Sequence, residues 1–345
     1  MRILIDIGHP AQVHLFKHFI SEIEKKGHKV ALTARDKDVV INLLKAYKIP
    51  FRNLGKYHGT LGKVTSLVNF NIKLFGISKK FKPDLFISSG SIHATQTSTL
   101  LRKYSIIFLD TEHHSVPQFQ NLVGRFTDVI YTPSCFEKNL GSNHRRYNGY
   151  HELAYLHPQY FKSNGDILEK IGLSKDEKII LVRHVAWNAQ HDIGQSGLRR
   201  DDKDFLKKLE DYGTVILTSE KQVPRYYRKY VYIFPPEEMH NILYYSSLYI
   251  GEGATMTTES ALLGTPAIYV NSIKCGTINE LAKFGLVKKF HKYSANEILE
   301  VAIDILEDPS SKKNAQKKSK QLIKQKINVT QFMVQEVEKI AKLIN

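Results

Sequence analysis

Short apolar runs alternate along this chain with longer stretches whose apolar residues recur every three or four positions. The short runs predict strands at residues 2–6, 30–33, 85–88, 106–109 and 129–132, and again at 179–182, 215–218, 231–234, 248–250 and 267–270. Between the first two, Val13, Phe16, Phe19, Ile20 and Ile23 share one helix face, and Gly27 ends that helix. Ser294 and Glu297 predict a capping box for a helix ending near Leu306. Phe332, Val334, Val337, Ile340 and Leu343 mark a closing helix. Strands that alternate with helices pair in parallel. The expected class is therefore α/β, with two Rossmann-like, doubly wound domains facing a cleft. The expected boundaries are an N-terminal domain at 1–155, a linker at 156–176 and a C-terminal domain at 177–325. A helix at 326–345 is free to pack back on the N-terminal domain.

The densest chemistry lies in residues 251–270, GEGATMTTESALLGTPAIYV. The apolar run before it is a buried strand, and Gly251 and Gly253 break that strand into a turn. A helix follows, stopped by Gly264 and Pro266, and a second strand completes the unit. Amides at a helix start lack internal partners, and the helix dipole makes that end positive. With Gly251, Gly253 and Ala254 at the turn and hydroxyls from Thr255, Thr257 and Thr258, the segment is a seat for a diphosphate. Glu259, about one turn in, is placed to accept the two hydroxyls of a ribose. The alternative is a glycine turn with a glutamate that only complements the helix dipole.

The first half carries other candidates. Its first strand-to-helix turn holds Gly8, His9 and His14, without the GxGxxG fingerprint of a nicotinamide or flavin enzyme. A histidine near a helix start tends to stay neutral, so His14 is either a base or a packed residue, and His9 positions the loop. Asp36 and Asp38 follow the second strand, where a helix cap belongs; a metal-binding pair is the alternative. Residues 51–65, with Tyr57 and His58, read as a mobile loop. Asp110-Thr111-Glu112-His113-His114 ends the strand at 106–109, and ligands of parallel sheets bind beyond such ends. Glu112 is the candidate acid or base there, with His113 and His114 as contacts. Residues 183–192, RHVAWNAQHD, form a polar loop at the equivalent place in the second half.

Composition narrows the partners. The chain has 345 residues, 42% hydrophobic and 24% charged, ordinary for a water-soluble fold of two cores. No apolar run approaches the roughly 18–20 residues of a membrane span, and the start does not read as a signal peptide. A cytoplasmic protein is expected. Cys135 and Cys275 stand far apart, outside any metal spacing. The net charge of +16 favours phosphate-bearing partners. Lys312, Lys313, Lys317, Lys318, Lys320, Lys324 and Lys326 form an acid-free run. That run is a solvated helix face or, alternatively, a peripheral contact with anionic membrane. Nucleic acid is disfavoured, since no aromatic residues interleave with these lysines.

At this point the chain resembles the nucleotide-sugar enzymes of the GT-B fold over nearly its whole length. Two branches are similar: the N-acetylglucosamine transferase that acts on the lipid-linked precursor of peptidoglycan, and the UDP-N-acetylglucosamine 2-epimerases. Residues 251–270 resemble their diphosphate and ribose segment. The resemblance implies that Thr257 and Thr258 touch the diphosphate and Glu259 the ribose. Phe234-Pro235 resembles the segment whose backbone recognises the base. Val13-His14-Leu15-Phe16 resembles the transferase turn, implying an acceptor-side base at His14, with Gly8 the remaining turn glycine. Leu109-Asp110-Thr111-Glu112 resembles a glutamate-bearing loop that is catalytic in the epimerases. Leu181-Val182-Arg183-His184 resembles their strand ending in a catalytic histidine. The epimerases' third-loop aspartate has no counterpart, because Ser88-Ser89-Gly90-Ser91 stands there.

The function implied is a metal-independent glycosyltransferase in surface polysaccharide or glycolipid synthesis, with no cofactor and a UDP-linked sugar as the expected substrate. The C-terminal domain would hold the donor and the N-terminal domain an acceptor, which can be lipid-linked. The alternatives are a 2-epimerase-like epimerase or hydrolase working through Glu112 and His184, or a non-catalytic nucleotide-binding protein.

Overall fold

The computed structural model describes residues 1–56, 62–112, 116–184, 204–220, 222–291 and 294–344, the side chains of 62–65 and 116–118 excepted. The chain divides into two compact units, Met1–Tyr160 with Ile327–Asn345, and Phe161–Lys326.

The first unit is built on β1 (Arg2–Ile7), β2 (Lys29–Arg35), β3 (Arg52–Gly55), β4 (Leu85–Ser88), β5 (Tyr104–Phe108), β6 (Val129–Pro133) and β7 (His144–Tyr147). These pair in parallel in the order β3-β2-β1-β4-β5-β6-β7. Its helices are α1 (Pro10–Lys25), α2 (Val40–Ala46), α3 (Gly62–Phe81), α4 (Ile92–Leu100), α5 (Val116–Leu122) and α6 (Leu153–Leu156). β1 is apolar on both faces, as a central strand covered by helices must be, and Ile3, Leu4, Ile5 and Ile7 are fully buried.

The second unit holds α7 (Asp166–Lys170), β8 (Ile179–His184), α8 (Phe205–Glu210), β9 (Thr214–Ser219), α9 (Met239–Tyr245), β10 (Leu248–Gly251), α10 (Ala254–Leu262) and β11 (Ala267–Val270). It continues with α11 (Gly276–Lys283), β12 (Val287–Phe290), α12 (Ala295–Glu307) and α13 (Ser311–Lys324). The parallel order β12-β11-β10-β8-β9 reverses direction between β8 and β10. The last helix, α14 (Val329–Ile344), belongs to the first unit, where it packs on α1 and α6.

The fold class is α/β with two parallel sheets. The capping box at Ser294 and Glu297 is formed. Several local expectations are corrected. Residues 231–234 are not a strand: only Val231 bridges to β9, and Ile233 is 92% exposed. Pro235 and Pro236 follow at once and offer no amide to a ladder. Neither Asp36 nor Asp38 caps a helix; Val39 stands at the α2 start without a side-chain cap. The segment 51–65 contains β3 and the start of α3, while Tyr57 and His58 lie outside the described residues.

The lysine run is α13, and it is not uniformly a solvated face. Lys312 turns inward and donates to the carbonyls of Tyr244 and Ser246 and to the Thr265 hydroxyl. Lys326 pairs with Glu280 at 2.7 Å. Lys313, Lys317, Lys320 and Lys324 remain on the exposed side.

Candidate functional site

In the second unit Gly251, at the end of β10, pairs with Arg183, near the end of β8. This is where the strand order reverses, the place at which open α/β sheets take ligands. Gly251 is required here for a reason the sequence did not suggest. A Cβ at this position would overlap the ring and hydroxyl of Tyr249, which folds against it. Gly253 is the α10 N-cap in an extended conformation and provides no side-chain cap. No acidic residue lies in the first turn. The partly exposed rim is Gly253, Ala254, Thr255 and Met256, and first-turn amides of a helix have no intrahelical acceptor.

Thr257 and Thr258 are buried beneath that rim. Their hydroxyls donate to the carbonyls of Gly253 and Ala254, at 2.8 and 2.9 Å. Threonine in a helix commonly satisfies its hydroxyl on the carbonyl four residues back. The rim amides and Thr255 are what an anion would meet.

Glu259 is buried, 4% exposed, and its Oε1 lies 3.0 Å from Nε2 of His240. His240 comes from α9, which packs on α10, and is equally buried. Sequence reading missed this histidine because nothing local ties it to Glu259. Phe234 is half-buried and Pro235 exposed; the Pro235 carbonyl accepts from the Glu238 amide at 3.0 Å and opens a short turn into α9. Arg183 is held by Glu220 at 2.8 Å. His184 is 2% exposed with its ring 6.1 Å from that of Tyr227. The rest of the polar loop, residues 185–192, lies outside the described residues.

In the first unit the Gly8 amide donates to Gln12 Oε1 at 2.7 Å. A side chain at Gly8 would overlap the Arg35 guanidinium, which is anchored on buried Asp6 at 2.7 Å. Gly8 therefore makes room for an internal ion pair. Ser91 and Thr33 also donate to Asp6, completing a buried polar cluster. His9 caps α1 by accepting the Ala11 amide.

His14 lies on the packed face of α1. Its Nδ1 is 3.2 Å from the Tyr47 hydroxyl and its ring is 5.3 Å from that of Tyr155. Of the two alternatives for this residue, the burial matches the packed one. Glu112 is half-buried and accepts the Glu137 amide at 2.6 Å. His113 and His114 lie outside the described residues. Beside Glu112, Asp110 is bound by His151 at 3.3 Å and by the Thr111 hydroxyl at 3.0 Å. His151 Nε2 is buried with no hydrogen-bond partner among the described residues. This carboxylate–imidazole pair also went unseen in the sequence, where His151 reads as part of a linker.

These geometries can be set beside known proteins. The family model DUF354, "Protein of unknown function (DUF354)", matches residues 1–342. The chain belongs to the DUF354 family. A Methanocaldococcus jannaschii relative, described as "Uncharacterized protein MJ0665", is 26% identical over 323 residues, 90% of this chain and 92% of the relative. Among solved structures, UDP-GlcNAc 2-epimerase from Neisseria meningitidis bound to UDP-GlcNAc is similar. Its TM-score is 0.70 at 13% identity, covering 98% of this chain and 100% of that one. The Streptomyces sp. SF2575 glycosyltransferase SsfS6, complexed with thymidine diphosphate, matches with TM-score 0.62 at 13% identity, over 98% and 99%. This DUF354 chain thus has the GT-B fold of these epimerase and glycosyltransferase structures. No helix among its described residues is long and apolar enough to cross a membrane.

Proposed function

We propose that the chain is a glycosyltransferase that uses a nucleotide-diphosphate sugar without a metal. One observation carries the reading: the α10 N-terminus opens at the sheet's switch point with a glycine cap and no acid in its first turn, above a buried glutamate. Such amides stabilise a departing diphosphate electrostatically, with no reorganisation at the moment of reaction. Arg183 adds a cation beside them, and Glu259 is the ribose acceptor. On the acceptor side, Glu112 stands beyond a strand end and orients the acceptor or sugar. A lipid-linked acceptor would bring the exposed lysines of α13 to anionic headgroups.

A second reading, an epimerase or hydrolase of the nucleotide sugar, is favoured by the likeness to 2-epimerases.

The test is incubation of the purified protein with UDP-, GDP-, CMP- and dTDP-sugars, followed by NMR. Nucleotide release that rises when acceptors are supplied supports the transferase. Isomerised sugar without an acceptor supports the second reading. Binding of none of them refutes both.

A further inference from the structure

Glu259 and His240 are both nearly sealed from water, and His240 Nε2 lies 3.0 Å from Glu259 Oε1. They come from neighbouring helices of one unit, α9 and α10. A carboxylate offers about four acceptor sites on two oxygens. A bond from an imidazole N–H occupies one of them and restrains the rotation of the carboxylate. In a buried site that bond is stronger than in water, and the loss of a donor is costly. A glutamate left to rotate could take one hydroxyl from many sugars. A glutamate held in one plane can take two adjacent hydroxyls at once.

We propose that His240 is a positioning residue that sets the Glu259 carboxylate to read a ribose 2′,3′-diol, and that the donor is therefore a ribonucleoside diphosphate sugar and not a 2′-deoxy one. This rests on the nucleotide reading above. A 2′-deoxy ligand forfeits one hydrogen bond to a charged acceptor, which predicts about ten- to a hundredfold weaker binding.

The experiment is calorimetric titration with the diphosphates of uridine, guanosine, cytidine and adenosine, each beside its 2′-deoxy counterpart. Wild type should prefer the ribo form of the base it accepts. His240→Ala should lose about tenfold or more in affinity for that form while its deoxy affinity holds, so that discrimination collapses. His240→Gln, which keeps an N–H donor at similar reach, should retain most of the discrimination. A purely structural role for His240 would weaken both forms equally, and that result overturns the proposal. So does a folded His240→Gln protein that no longer discriminates, which keeps the test decisive if the alanine variant does not fold. Loss of discrimination in Glu259→Ala, with full discrimination in His240→Ala, overturns the role of His240 and leaves the nucleotide reading standing. Absence of binding by every nucleotide overturns both.

Discussion

His151 Nδ1 lies 3.3 Å from Asp110 Oδ2, joining the turn after β7 to the end of β5. Partial burial alone would raise the Asp110 carboxyl. The charge and hydrogen bond of His151, with the Thr111 hydroxyl, more than offset that and hold it well below the usual carboxylate range. A carboxyl depressed in the folded state contributes stability in full above its unfolded pKa of about 3.9, and loses it as pH falls through the folded value. Asp110→Asn should destabilise the protein at pH 7 by about 1–3 kcal/mol. Urea unfolding should show the gap between variant and wild type narrowing only below about pH 4.

Gly8 and Arg35 form a second coupled pair. Gly8→Ala places a methyl group where the guanidinium lies and drives it off buried Asp6. The guanidinium can shift at its flexible end and Asp6 keeps Thr33 and Ser91 as donors, so the expected loss is about 1–3 kcal/mol, smaller than that of Arg35→Ala. In a double-mutant cycle the two losses should overlap strongly rather than add. Additive losses would mean that Gly8 serves something other than this pair.

Lys312 supplies a pH dependence of the opposite origin. Burial pushes its ammonium down to about 7. Between pH 7 and 10 the unfolded chain then binds a proton that the folded chain has released, so stability should rise with pH over that window. Lys312→Met should remove that rise. It should also cost about 1–3 kcal/mol through the carbonyls of Tyr244 and Ser246 left without a donor. Unfolding midpoints at pH 7 and pH 9.5 check both effects.

Arg183 is held by Glu220 at 2.8 Å, and Glu220 is the more exposed partner. On the proposed reading, a diphosphate at the α10 N-terminus would compete with that carboxylate for the guanidinium. Glu220→Gln should therefore tighten nucleotide-diphosphate binding by about three- to tenfold, the scale of one partly exposed ion pair. The gain should shrink at high salt. Titration at two ionic strengths measures it.

Much of this architecture was legible in the pattern of apolar residues. β1, β4, β8, β10 and β11 are short runs of Ile, Leu, Val and Phe buried on both faces, and such runs declare themselves. β3 and β12 did not, and of β7 the sequence shows only the end at Tyr147, because Arg52, Arg145, Arg146, Lys288 and Lys289 give these edge strands a polar face. Residues 231–234 erred the other way: they look like a strand, but the prolines behind them prevent a ladder.

The linear order of residues determined the glycine turn, the helix start behind it and the presence of Glu259, since each is a property of a few adjacent positions. Which groups those residues would meet was decided by the tertiary structure. Thr257 and Thr258 turned their hydroxyls onto their own helix, Gly8 and Gly251 proved to be spaces for Arg35 and Tyr249, and His240 and His151 became partners of Glu259 and Asp110. Pairings of this kind are set by how helices and strand ends pack, and a buried carboxylate takes whichever donor that packing brings within reach.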